Sequence, residues 1–225
     1  MTRRCTANGR DGRRQFRVGD GPYAEIRWVD PYDTGDSTYD LEVDRPKKLD
    51  RYVTRLIAPN AGRMTGPGTN TYLVGDREMA VIDPGPAVPS HIDALLAFAA
   101  GRIRWILLTH THRDHAPAAE MVKFATGATI IGRPAPKGVP GHATIAIDRV
   151  LADGDSLVID DLVLRAIHTP GHASNHLCYL LEQTHMLFSG DHLVQGFTVV
   201  IAPPDGNMRA YLALLVACAP LTSQS

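Results

Sequence analysis

The segment His110-Thr111-His112-Arg113-Asp114-His115 puts four metal-capable side chains within six residues. Imidazole and carboxylate are ligand types that zinc accepts, and divalent iron or manganese accept them too. A hydrogen-bonded core accounts readily for one buried histidine. It does not account for three histidines and an aspartate in so short a run. Immediately upstream, Ile103 to Leu108 is nearly all apolar, the pattern of a strand covered on both faces. Loops leaving the carboxyl ends of such strands are common ligand sites in α/β folds. From an extended loop His110 and His112 can share one cation. Asp114 and His115 lie one turn further on and can face a second.

Two later segments supply further donors. Thr169-Pro170-Gly171-His172 follows a strand-like run, and its Pro-Gly turn can aim His172 inward. Ser189-Gly190-Asp191 follows another, and the two oxygens of Asp191 can bridge two cations. In this order the three segments resemble the metallo-β-lactamase (MBL) superfamily, over about Val53 to Ala217. Asp83, in Val81-Ile82-Asp83-Pro84-Gly85, resembles that superfamily's early Asp-x-Gly turn, in a supporting role.

The resemblance implies an α/β (α+β) fold, a four-layer αββα sandwich with metals at the sheet edge. It implies that His110, His112 and His172 hold one zinc ion, that Asp114 and His115 hold a second, and that Asp191 bridges them. Two such ions about 3.5–4 Å apart activate a shared water as hydroxide, which Asp114 would orient as the catalytic carboxylate. Superfamily hydrolases usually add a histidine from a late Gly-His loop. The residues up to Ser225 contain no match to it. The expectation is therefore a second site that binds weakly or carries extra water, and a sandwich missing its last elements. Gly66 to Leu73, Phe188 to His192 and Gly196 to Gly206 most resemble the β-lactamase-like protein 2 branch, with glyoxalase II next. Known members of the first branch cleave single-stranded RNA, and the second hydrolyses thioesters.

The implied function is a metal-dependent zinc hydrolase of an ester, thioester or phosphodiester, with a small molecule or RNA as substrate. Two alternatives stand beside it: a mononuclear iron oxygenase of the persulfide dioxygenase type, and a truncated, non-catalytic member of the fold. His176, in Gly171-His172-Ala173-Ser174-Asn175-His176, is a candidate pocket residue for substrate binding. His142 reads as a surface loop residue, His91 as the start of a helix, and His168 as a strand end.

The rest of the chain frames this centre. Strand signals fall at Arg51 to Ala58, Thr69 to Val74, Met79 to Ile82, Leu162 to Ile167, Leu177 to Leu181 and Met186 to Phe188. A helix capped by Ser90 is predicted to run to Ala100, with Ile92, Leu95, Leu96 and Ala99 on one face and Gly101 ending it. A second is predicted from about Pro117 to Thr126, and a third from Met208 to Ala217. Ala152-Asp153-Gly154-Asp155 reads as a hairpin turn.

Residues 1–50 differ in texture. Arg3, Arg4, Arg10, Arg13, Arg14 and Arg17 are followed by Asp30, Asp33, Asp36, Asp40, Glu42 and Asp44, with few apolar residues between. The expectation is a poorly ordered N-terminal extension or a remnant of another domain, ahead of a metallo-β-lactamase domain over 51–225. Basic and acidic residues nearly cancel, 23 against 24, so no global field favours DNA or a membrane surface. The three cysteines, Cys5, Cys178 and Cys218, form no CxxC pair, which fits a reducing cytoplasm rather than a disulfide framework. A homodimer is compatible with this composition.

Overall fold

The computed structural model describes residues 42–194 and 198–218. The expectations for residues 1–41, for Gly196 and Phe197, and for the tail 219–225 lie outside the described residues.

Among the described residues, eleven strands form two sheets. The first contains β1 (Lys47–Lys48), β2 (Val53–Ile57), β3 (Asn70–Gly75), β4 (Met79–Ile82), β5 (Ile103–Leu107), β6 (Thr129–Gly132) and β7 (Arg149–Val150), neighbouring one another in chain order. Pairing is antiparallel from β1 to β4 and parallel from β4 to β7. The change follows the connections: α1 (Pro89–Ala99) joins β4 to β5 and α2 (Ala118–Thr126) joins β5 to β6, and parallel neighbours need such crossovers. The second sheet is antiparallel, in the order β11 (Met186–Phe188), β10 (Leu177–Leu181), β9 (Leu162–His168), β8 (Ser156–Ile159). A 3-10 turn, Gly190–His192, and α3 (Met208–Cys218) follow.

Alternation along the strands of the first sheet puts one apolar core on each of its faces. Ile82, Leu107 and Ile131 face Leu164, Leu177 and Tyr179 of the second sheet. Val81, Ile106 and Ile130 face the opposite way, against Ile92, Leu95, Ala119 and Val122 of α1 and α2. Each such fully buried aliphatic side chain contributes about 1.5–3 kcal/mol. Both faces of β5 are thus covered at the end that leads into His110, while Arg104 at its start is exposed and pairs with Glu78. No helix among the described residues is long and apolar enough to cross a membrane.

Four expectations need correction. Residues 42–50 are not outside the domain: β1 pairs with β2, Val43 bridges to Ile57, and Asp44 bonds to Ser90 and His91. Ser90 does not cap α1; the helix starts at Pro89 after Val88, because a proline there has no N–H to satisfy. The Ser90 hydroxyl donates instead to Asp44. The turn over Ala152 to Asp155 closes no hairpin, since β7 belongs to the first sheet and β8 to the second. It is a crossover between sheets, and the hairpin lies one strand later, between β8 and β9 at Asp160. His142, finally, does not project from the surface: the residue is half-buried and its side chain is only 3% exposed.

Candidate metal centre

The candidate ligands meet where the two sheets are stitched together. Asp83 follows β4, His110 to His115 follow β5, His172 follows β9 and Asp191 follows β11. Leu177 donates its backbone N–H to Thr109 O at 2.6 Å, and the Tyr179 hydroxyl donates to Leu108 O at 2.7 Å. These bonds hold the β9–β10 loop against the His110 loop.

Two donor groups result. Ligand atoms of His110, His112 and His172 lie within 4.8 Å of one another, as do those of His110, His115 and Asp191. The His172 Nε2 to His112 Nδ1 distance is 2.9 Å. Asp191 stands between the groups. Its Oδ1 is 3.3 Å from His115 Nε2 and its Oδ2 is 3.4 Å from His172 Nε2. Asp114 Oδ2 also lies 3.3 Å from His115 Nε2, on a side chain 29% exposed. The structure therefore brings together all six residues named from the sequence.

Tautomers follow from the bonds behind the ligands. Asp83 Oδ2 accepts from His115 Nδ1 at 2.8 Å and from the Thr109 hydroxyl at 2.6 Å. With its proton committed there, Thr109 Oγ1 accepts from His110 Nδ1 at 3.0 Å. His172 Nδ1 donates to Val200 O at 2.6 Å. In each of the three rings Nδ1 carries a proton; Nε2 of His110 and of His172 then presents a lone pair to the cluster, and Nε2 of His115 would do so once a cation displaced its second proton. A ligating histidine needs this arrangement. His110 Nε2 is buried with no hydrogen-bond partner in the described structure. A buried lone pair left unmatched is costly unless a cation takes it, so the donor set fits a metal.

Asp83 itself sits in the left-handed region, φ 48°, followed by Gly85 at φ 85°. Aspartate tolerates that region better than most residues. The turn points the carboxylate back at Thr109, whose N–H it also accepts at 2.8 Å.

Electrostatics favour ligation. Burial, then the neighbouring imidazoles, hold His110 far below the ordinary histidine range. Burial and His172 bring His112 down to about 4. Both rings are neutral at physiological pH, as ligands must be. Burial would raise the Asp114 and Asp191 carboxyls, but His115 outweighs it and keeps both below the usual carboxylate range. For His115, burial is outweighed in the other direction by Asp191 and Asp83, which favour its charged form. A cation in this position would replace that proton.

His176 does not line a pocket. It is fully buried, bonded through Nδ1 to Thr169 Oγ1 at 2.8 Å, and its ring backs His110 at 5.1 Å between centroids. The hydrophobic β10 strand draws it inward, and it packs under the Asp191 turn. A Cβ on Gly190 would stand 2.8 Å from His176 Nε2 and 2.6 Å from Thr109 Oγ1, and Gly190 has φ 47°. Only glycine fits there. Sequence reading missed the residues that hold the ligands from behind: Thr109, His142, Val200, Asp205 and Tyr211. A backbone carbonyl such as that of Val200 leaves no sequence signal.

The profile of the metallo-beta-lactamase superfamily matches residues 64–222. A lactamase-like protein, aptB of Emericella nidulans, is 35% identical over 153 residues, 66% of this chain and 48% of its own length. An atrochrysone carboxyl ACP thioesterase of Aspergillus terreus is 30% identical over 153 residues, 66% of this chain and 46% of its own length. The chain thus spans about half the length of these curated relatives. Among solved structures, BLEG-1, a B3 metallo-beta-lactamase, superposes with TM-score 0.60 at 25% identity, covering 75% of this chain and 86% of that one. The chain belongs to the metallo-beta-lactamase superfamily.

Proposed function

We propose that this chain is a metal-dependent thioester hydrolase. One observation carries the metal part: the Asp191 carboxylate reaches toward both donor groups, one oxygen to each. His110 Nε2, His112 Nδ1 and His172 Nε2 would hold one cation. His115 Nε2, Asp114 and Asp191 would hold a second, with Asp191 shared. Zinc suits these donors best, and iron or manganese accept them. The bound cations would supply Lewis acidity toward a water and toward the substrate carbonyl.

The chain's own groups do the rest. Asp114 is ionised and partly exposed, so its free oxygen can accept a hydrogen bond from the attacking water and orient it. Asp83, through His115 and Thr109, keeps both donor groups in register. Attack forms a carbon–oxygen bond and breaks the carbon–sulfur bond; the proton lost by water ends on the departing thiolate. The thioester is preferred over the other carbonyl and phosphoryl substrates because similar proteins bear thioesterase names.

The test is metal analysis of the purified chain, followed by a chelator-reversible panel of an acyl thioester, single-stranded RNA and a β-lactam. Close to two zinc ions per chain, thioester turnover, and loss of that turnover by at least about a thousandfold in His112→Ala are expected. Undiminished turnover in His112→Ala would remove the mechanism. RNA cleavage instead would move the substrate to phosphodiesters. One iron per chain with oxygen consumption would replace hydrolysis by the oxygenase reading.

A further inference from the structure

We propose that His142, anchored by Asp205, is a positioning residue that holds the His112 ring in its ligating orientation. The inference rests on the metal-centre reading above. His142 lies on the loop between β6 and β7, which contributes none of the candidate ligands. Its ring nevertheless lies on that of His112, centroids 4.5 Å apart and planes at 40°. The two residues also form a backbone bridge, and Ala143 N–H donates to Thr111 O at 2.7 Å. Gly141, at φ 96°, lets the loop come this close.

Both nitrogens of His142 are committed. Nε2 donates to Asp205 Oδ2 at 3.2 Å, which leaves Nδ1 to accept the Thr111 hydroxyl at 2.7 Å. Thr111 Oγ1 in turn accepts from Asn175 Nδ2 at 2.9 Å. The ring cannot turn without breaking one of these bonds, so the face it offers His112 is fixed. Asp205 Oδ2 also accepts the Ser174 N–H at 2.9 Å, two residues beyond His172. A single carboxylate therefore ties together, from behind, the loop packed on His112 and the loop carrying His172. Those are the two ligands whose nitrogens stand 2.9 Å apart. Rotating the His112 ring would carry Nδ1 out of the cluster, and the His142 face blocks that rotation.

Groups that orient a ligand without touching the metal commonly change affinity by about 10–100-fold when removed. The test is a cobalt titration of the full chain, following the visible absorption band, with melting of the metal-free chain alongside. His142→Ala is expected to bind cobalt at least about tenfold more weakly and to shift the band. Asp205→Ala should behave like it, while Asp205→Asn, which keeps an acceptor oxygen, should recover most of the loss. Unchanged affinity and band in His142→Ala overturn the proposal. So does a lowered melting temperature with unchanged cobalt binding by the folded protein, the mark of a merely structural role. If His142→Ala does not fold, His142→Gln decides on the same two readouts. A parent chain that takes up no cobalt overturns the metal-centre reading itself, and this role with it.

Discussion

Asp83 offers acceptors to both donor groups: to His115 directly, and to His110 through the Thr109 hydroxyl. It is buried and accepts three hydrogen bonds, so removing it leaves three donors facing apolar surroundings. Asp83→Ala should destabilise the metal-free chain by about 2–4 kcal/mol and lower its zinc content, measured by urea unfolding and elemental analysis. Asp83→Asn should fall between, because one oxygen can still accept. An alanine variant with the parent's stability and zinc content would refute this role. The six ligand candidates were legible in the sequence because donor chemistry crowds into three short strand-end segments. His142 and Asp205 were not, because 63 residues separate them and only the folded chain makes them partners. His176 was misplaced for a related reason: its neighbourhood reads as a polar loop, yet Leu177 to Leu181 is fully buried and draws it in.

Elements carry the ligands only if they dock closely. A Cβ on Gly171 would lie 2.7 Å from Tyr211 Cβ and 2.8 Å from its Cα, so α3 rests on the bare backbone of the Thr169 to His172 loop. Asn207 N–H donates to Gly171 O at 2.7 Å, and the Tyr211 hydroxyl donates to His192 O at 3.2 Å, spanning from that loop to the Asp191 turn. Gly171→Ala should cost about 1–3 kcal/mol of stability and weaken metal binding, read by thermal melting and cobalt titration. Behind the Asp83 turn, His91 of α1 is buried between Asp44 and Thr71, whose hydroxyl donates to Asp83 O. Burial outweighs Asp44 and lowers its pKa from the ordinary 6.5. The unfolded chain therefore takes up this proton first as pH falls. The contribution to stability is intact above about 6.5 and is lost as pH drops below it toward the folded value. Urea midpoints of the metal-free chain at pH 7.5 and 5.5 should differ more in the parent than in His91→Asn; an equal difference would remove His91 from the account. The helix itself was legible from its apolar spacing, but its start was not, since Pro89 makes the Ser90 cap unnecessary.

At the scale of the whole molecule, the cations would join two sheets that already meet through an apolar core and through the bonds of Leu177 and Tyr179 to the end of β5. His110 and His112 come from the first sheet, His172 and Asp191 from the second. That architecture was legible from strand order and from the family resemblance. The place of residues 42–50 was not, because β1 is two lysines with no apolar alternation and joins the sheet by pairing with β2. Since the complete donor set exists only when both sheets are folded together, a metal held there would favour the native chain over the unfolded one. Native stability must then rise with free metal, by about 2.7 kcal/mol at a hundred times the dissociation constant. Zinc should accordingly raise the melting temperature of the parent, and a chelator should reverse the shift. Replacing both His172 and Asp191 by alanine removes both donors of the second sheet, so the melting temperature of that variant should respond little to zinc. A double variant stabilised by zinc as strongly as the parent would mean that the ion binds within one sheet, and the site built across both would be wrong.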